Sequence, residues 1–307
     1  MPTLVIIAGP TACGKSSLSL KWAQQTGGVI INADSQQLYS GLPILTAQPD
    51  LHDQAIVPHY LYGLLSPNEN ASAPDWCRRV LPVLALCEAQ SNTPYIVGGT
   101  GFYIKALTEG LSPIPTIPIE VEHEAEGMGL EKLWTELQEV DPQLAHSLKP
   151  NDRYRIGRGW AVWKSTGRPM SYFQKLPKEN FLPVHWNVRI FFLNPPRLLL
   201  YERINKRFEQ MWQQGAIEEV KTLMKSEGFD KTPAFRALGA EQIRSFLEGE
   251  ITQEKAIEKA CQLTRNYAKR QITWFSHQLP KATLIDPQET SLDFLASLLS
   301  DTEGDFL

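Results

Sequence analysis

Gly9-Pro10-Thr11-Ala12-Cys13-Gly14-Lys15-Ser16 is the stretch of this chain best suited to chemistry. It fits the pattern G-x-x-x-x-G-K-[ST], a turn that aims successive backbone N–H groups into a concavity suited to an anion. The positive end of the helix that must follow adds to that field. Lys15 supplies a mobile positive charge, and the Ser16 hydroxyl suits Mg²⁺. The ligand class is a di- or triphosphate, as in a nucleotide- or ATP-binding loop. The pattern leaves open which phosphate compound binds and whether phosphorus is the atom attacked.

Other residues could act on what this loop holds. Asp34 opens the segment Asp34-Ser35-Gln36-Gln37-Leu38-Tyr39. A carboxylate there can hold Mg²⁺, act as a base, or merely cap a turn. Ser35, Gln36 and Gln37 add hydroxyl and amide groups able to read the edge of a base. Gly98-Gly99-Thr100-Gly101 is a second glycine turn with one hydroxyl. Arg203 and Arg207, four apart on a predicted helix, could grip a diphosphate. Cys13, near a helix N-terminus, is read first as a small residue that fits the turn.

The elements that must position these groups follow from the spacing of apolar runs. Strands are predicted at Thr3–Ala8, 28–34, 94–97 and 188–193, and helices at 15–25, 72–90, 196–213, 216–225, 240–247 and about 252–275, with Pro82 a kink in the second of these. Short apolar strands alternating with helices give a parallel α/β sheet with helices on both faces, of the P-loop NTPase-like class. In such sheets ligands bind beyond the carboxyl ends of the strands, where the phosphate loop, Asp34 and Thr100 all fall. The Pro-rich residues 111–118 read as a linker, and 130–140, 142–148 and 152–165 as helices. We therefore divide the chain into a core domain, 1–113 with 184–300, and a helical insertion domain, 114–183. The acidic tail 301–307 is expected to fray.

Composition excludes some classes. The chain has 307 residues, 42% hydrophobic, with no apolar run of the roughly 18 residues that a membrane span needs. No signal peptide precedes the first strand. The 4 cysteines have no zinc-ligand spacing, and a reducing cytoplasm fits. The net charge of −4 is unevenly spread. Residues 120–139 are strongly acidic. Between Lys149 and Lys178 the cations face only Asp152 and are interleaved with Tyr154, Trp160, Trp163, Tyr172 and Phe173. Such a pattern suits phosphate contacts and base stacking, or equally the solvated face of an amphipathic helix. On the last helix Arg265, Lys269 and Arg270 make a further basic group.

In order, these motifs resemble the bacterial tRNA dimethylallyltransferase family over nearly the whole chain. The resemblance runs through Gly9–Ser16, Asp34–Tyr39, Gly98–Tyr103, Pro150-Asn151-Asp152 with Arg155 and Arg158, Thr166-Gly167-Arg168, Arg203–Arg207, Ala237-Leu238-Gly239, and Tyr267–Phe275. It implies transfer of a dimethylallyl group from dimethylallyl diphosphate to the exocyclic amine of the tRNA adenosine just 3′ of the anticodon. By resemblance Asp34 is the base and Thr100 positions the acceptor. Gly9 to Ser16 (Gly9, Pro10, Thr11, Ala12, Cys13, Gly14, Lys15 and Ser16), with Arg203 and Arg207, hold the diphosphate. Mg²⁺ is the implied cofactor, with Ser16 as its protein ligand. Asp34, Ser35, Gln36, Gln37, Thr100, Tyr154, Arg155, Ile156, Gly157, Arg158, Arg236, Lys269 and Arg270 are implied contacts to the tRNA anticodon stem-loop. A cytoplasmic monomer with no membrane partner is expected. Departures from the family pattern fall at Arg158-Gly159-Trp160-Ala161, at Ala240, at Gln48 where lysine is common, and at Tyr60 where a second histidine is common; they bear on tRNA affinity rather than on reaction type. An adenylate dimethylallyltransferase is the nearest rival; a small-molecule kinase and a non-catalytic nucleotide switch are further off.

Overall fold

A computed structural model describes residues 1–285 of the protein. Its elements run β1 (Thr3–Ala8), α1 (Lys15–Thr26), β2 (Val29–Asn32), α2 (Leu51–Ile56), β3 (His59–Tyr60), α3 (Ala73–Gln90), β4 (Pro94–Gly98), α4 (Gly101–Glu109), α5 (Ile119–Gly127), α6 (Leu130–Val140), α7 (Pro142–Ser147), α8 (Arg153–Thr166), α9 (Met170–Gln174), β5 (Asn187–Leu193), α10 (Arg197–Gln214), α11 (Ala216–Leu223), α12 (Ala240–Leu247), α13 (Gln253–Gln278) and β6 (Thr283–Ile285). The acidic tail 301–307, and the end of the core segment drawn to residue 300, lie outside the described residues. No helix among the described residues is long and apolar enough to cross a membrane.

Among the described residues the strands form one 6-stranded sheet in the order β3-β2-β4-β1-β5-β6, and every neighbouring pair is parallel. Parallel neighbours need a crossover connection, which helices supply here. All strands therefore end on one edge, and the loops that follow β1, β2 and β4 emerge together. The sheet is buried on both faces: β1 and β4 have almost no exposed residue, which explains their unbroken apolar runs. One face packs Trp22 of α1 edge-on against Phe191 of β5, with ring centroids 5.5 Å apart. Ser72 caps α3 by accepting from the Asp75 N–H, and the helix continues through Pro82.

The chain divides into two compact units. The sheet unit comprises residues 1–108 and the described residues from Phe181 onward; the second unit is Glu109–Asn180 and interrupts the chain between β4 and β5. The second unit has its own core, built on Leu133, Leu137, Ile156, Trp160 and Val162. Asp141 is 1% exposed there, and its carboxylate accepts from the N–H groups of Leu144 at 3.0 Å and Ser171 at 2.8 Å, tying α7 to α9. Helix α5 lies where the sequence reading has only an acidic run; Glu120 and Glu122 in its first turn are the signal for it, since carboxylates favour a helix N-terminus. Helices α2, α4 and α9 are likewise additions to the sequence reading.

Candidate functional site

The phosphate loop spans β1 and α1 as a left-handed turn. Ala12 at φ 63° and Gly14 at φ 103° bend the backbone back on itself. Gly9 is needed for close approach: a Cβ there would stand 2.7 Å from the Leu193 carbonyl oxygen and 2.8 Å from Cys13 Sγ. Cys13 is fully buried, as suits a small residue filling the turn. The first-turn amides of α1 have no intrahelical acceptor, so they and the helix dipole suit an anion. Lys15 Nζ donates to the carbonyls of Gly9 at 2.9 Å and Pro10 at 2.7 Å, holding its ammonium against the loop. Ser16 is exposed at the start of α1.

Helices distant in sequence brace this loop. From α10, Arg203 donates to the Cys13 carbonyl at 3.4 Å and Arg207 to the Thr11 hydroxyl. From α13, Gln271 accepts from the Thr11 N–H at 2.9 Å. The predicted arginine pair therefore sits on the loop itself. Sequence reasoning places Gln271 only within the Tyr267–Phe275 motif, on a helix read as favouring tRNA; a glutamine in the middle of a helix carries no local signal of a contact to this loop.

Beside the loop, the end of β2 presents Asp34. Fully buried Asn32 fixes its backbone: its Oδ1 accepts from the Asp34 N–H at 2.7 Å, and its Nδ2 donates to the carbonyls of Asp34 and Leu61, each at 2.9 Å. Sequence reasoning also missed Asn32, whose signal is a polar residue in an apolar strand. The Asp34 Oδ1 accepts from the Gln36 N–H at 3.0 Å. Burial raises the carboxyl above its ordinary range, opposed by the Gln36 N–H and by the charges of Lys15 and Arg207. Burial likewise depresses Arg207, while Asp34 pulls it back up. The two groups thus share one desolvated environment, in which each offsets part of the other's burial cost.

Thr100 joins the ends of β2 and β4. Its N–H donates to the Ala33 carbonyl at 3.1 Å, and its Oγ1 accepts from the Ser35 N–H at 2.9 Å and lies 3.3 Å from Ser35 Oγ. The strands approach so closely that a Cβ on Gly98 would lie 2.1 Å from the Ala33 carbonyl, so only glycine fits. Gln37 is committed to structure, with Nε2 donating to the carbonyls of Thr46 at 2.8 Å and Ala47 at 2.7 Å. Gln36 Oε1 differs: it is buried with no hydrogen-bond partner.

The remaining sequence candidates are spread more widely. In the sheet unit Arg236, Lys269 and Arg270 are exposed, with Arg270 over the Tyr267 ring at 5.6 Å. In the second unit Tyr154 is 82% exposed and Arg155 is open to solvent beside Asp152, at 3.6 Å. Gly157 is half-buried and Ile156 fully buried in the unit's core, so the Ile156 side chain is not available to an RNA. Arg158 is paired with Glu122 at 2.8 Å and Lys164 with Glu124 at 3.6 Å. The basic run therefore does not face Asp152 alone: α5 lays the acidic run along α8 and neutralises part of it.

This geometry can be set beside known proteins. The IPP transferase family profile matches residues 37–278. The tRNA dimethylallyltransferase of Zymomonas mobilis is 42% identical over 275 residues, covering 90% of this chain and 88% of that protein. The protein of the same name from Allorhizobium ampelinum is 43% identical over 279 residues, covering 90% and 91%. Among solved structures, the tRNA isopentenylpyrophosphate transferase of Bacillus halodurans superposes with a TM-score of 0.67 at 30% identity, over 97% of this chain and 94% of that one. A eukaryotic dimethylallyltransferase acting on tRNA shares the fold, with a TM-score of 0.81 at 24% identity over 96% and 78% of the two chains. With the family profile matching residues 37–278 and relatives 42–43% identical over 90% of its length, the chain belongs to the IPP transferase family, that of the bacterial tRNA dimethylallyltransferases.

Proposed function

We propose that the protein transfers the dimethylallyl group of dimethylallyl diphosphate to the exocyclic amine of the adenosine 3′-adjacent to the anticodon of a tRNA, releasing diphosphate. The observation that carries this reading is an anion cradle after β1 and a desolvated carboxylate after β2, on the one edge where the parallel strands end, with Thr100 holding the Asp34 turn through the Ser35 N–H. A phosphate loop beside a base suits a reaction in which diphosphate leaves and a weak nucleophile must lose a proton. The allylic C–O bond breaks, and its electron pair departs on the diphosphate. A C–N bond forms, and the amine proton passes to Asp34. Lys15 exchanges the Gly9 and Pro10 carbonyls for phosphate oxygens, and the α1 amides receive the charge that grows on the leaving group. Arg203 and Arg207 hold the loop in shape and add positive potential. Burial makes Asp34 a stronger base than a free aspartate, while Lys15 and Arg207 limit the rise.

A divalent cation fits this cradle with one protein ligand. Ser16 offers an exposed hydroxyl, and the described residues hold no group of three or more His, Cys, Asp or Glu, so Mg²⁺ would draw its other oxygens from the diphosphate and water. When bound it would neutralise charge on the leaving group. Ser35 and Thr100, linked at 2.9 Å beside the Asp34 turn, are the groups we assign to the edge of the acceptor base, and the buried, unpartnered Gln36 Oε1 becomes a further acceptor only if its side chain turns outward. That base must leave its stack, at a cost of a few kcal/mol. Tyr154, Arg155, Gly157, Arg236, Lys269 and Arg270 are the groups we assign to the rest of the tRNA, with Arg158 in a lesser role. The enzyme works in the cytoplasm, as a monomer.

The test is incubation with Mg²⁺, dimethylallyl diphosphate and unmodified tRNA, with AMP and a tRNA lacking that adenosine in parallel and mass spectrometry of the nucleosides. A five-carbon addition to the one adenosine is expected. Addition to AMP alone would identify a free-nucleotide enzyme, and ATP turnover with no addition a kinase.

A further inference from the structure

Gln271 is 5% exposed on α13, and its amide spans the two glycine loops of the site. Oε1 accepts from the Thr11 N–H at 2.9 Å, and Nε2 donates to the Gly99 carbonyl at 2.8 Å. The partners lie 260 and 172 residues away in sequence, so no local turn dictates either contact. Both ends of the amide are used, each on a different loop, and only one orientation matches donor to acceptor. The fit has no slack. A Cβ on Gly99 would lie 2.2 Å from Gln271 Nε2, and one on Gly101 2.1 Å from the Trp274 ring on the next turn of α13.

We infer that Gln271 is a positioning residue that sets the separation between the diphosphate loop and the Thr100 loop. The inference rests on the proposed reaction, in which the leaving group is held by one loop and the nucleophile by the other. Gln271 touches protein groups only, and its effect passes through Thr11 and Gly99. Each loop keeps its own ligand-facing groups without it: Lys15 and the α1 amides on one side, Thr100 with Ser35 on the other. Removing the strut therefore leaves two half-sites that still bind but meet poorly. Misplacing reacting atoms is felt in turnover rather than in binding.

The variants are Gln271→Leu, which makes neither bond, and Gln271→Asn, which keeps the amide but is one methylene too short to span both loops. Inorganic pyrophosphate titration by calorimetry counts the binding-competent sites, so misfolded protein is removed from the rate. In both variants kcat per competent site should fall about 10- to 100-fold, the worth of two hydrogen bonds. The KM for each substrate and the pyrophosphate Kd should move by less than about threefold, the signature of an interaction that binding does not use. Wild-type kcat per competent site in Gln271→Asn, or a loss confined to KM, overturns the proposal. A second readout needs no turnover: the Thr100 backbone amide resonance should shift when pyrophosphate binds the wild type and stay in place in Gln271→Leu. If it shifts equally in both, the strut is refuted. If the wild type couples the loops but modifies no tRNA, the proposed reaction falls and the strut stands.

Discussion

Asp34→Asn removes a charge and a base while leaving the local frame in place. The side-chain oxygen that accepts the Gln36 N–H at 3.0 Å is retained, and the Asn32 clamp at 2.7 Å acts on the backbone. The wild-type carboxyl is raised by burial, and that balance already includes the pull of Lys15 and Arg207. A carboxyl raised in the fold binds its proton more tightly folded than unfolded. Its contribution to stability is full below the unfolded pKa and is lost as pH rises through the folded one. At neutral pH Asp34→Asn should therefore melt above the wild type, and the gap should close as pH falls below about 4, the unfolded value. Activity moves the opposite way. Losing a positioned base costs about 10²–10⁴ in kcat, or roughly 3–5 kcal/mol of barrier. Pyrophosphate affinity should hold or tighten, because the deleted charge has the sign of the ligand and lies in the field of Lys15 and Arg207. The measurements are single-turnover tRNA prenylation, pyrophosphate calorimetry, and thermal melts at acid and neutral pH. A kcat near wild type would remove Asp34 from proton transfer. Pyrophosphate binding weakened more than about tenfold, some 1.4 kcal/mol, would mean that the carboxylate organises the cradle and is not chiefly a base.

Further outcomes are expected at four other positions. Gly98→Ala puts a Cβ 2.1 Å from the Ala33 carbonyl, and overpacking of about 1–3 kcal/mol should lower the melting temperature by several degrees in calorimetry; an unchanged value would refute the close approach of β2 and β4. Glu219→Ala deletes the carboxylate that accepts from the N–H groups of Ile44 at 2.7 Å and Leu45 at 2.9 Å, so stability should fall by about 1–3 kcal/mol and exchange at those two amides should quicken; equal protection would show that other groups hold the loop. Arg155→Glu should lower the salt dependence of tRNA binding by about one phosphate contact. Arg158→Glu should change that slope less and instead loosen the second unit through repulsion with Glu122, with Glu122→Arg restoring it; equal slopes for the two variants would refute the division of roles.

The placement of many candidate residues was legible because it follows local backbone geometry. The Gly9–Ser16 turn is visible from its own residue types and spacing, with Ala12 and Gly14 at positive φ, although its bracing from α10 and α13 is not. Asp34 and Thr100 follow apolar strands directly, and a parallel sheet brings such positions to one edge whatever the details of packing. What stayed hidden was set by tertiary contact. Asn32 reads as a blemish in a strand until its amide is seen holding the turn that carries Asp34. Gln37 reads as a base-contacting amide until its donors are found on Thr46 and Ala47, while its neighbour Gln36 keeps an acceptor without a partner. Adjacent, chemically identical side chains have different employment here, and composition cannot separate them.

Tertiary contact reshapes the charged runs as well. A window of sequence assigns 149–178 a strong positive field because it counts only neighbours along the chain. Fields are set by neighbours in space, and α5 brings Glu122 to Arg158 and Glu124 to Lys164. These pairs are part-exposed and each contributes at most about 1 kcal/mol to stability, so fold stabilisation alone is a weak account of them. Their larger effect is on the surface potential: they cancel charge in the middle and last turn of α8 and leave Tyr154 and Arg155, at its start, as the more open part of the helix. A polyanion meeting this unit would be drawn to that end and not to the helix as a whole, a narrower footprint than the basic run by itself implies.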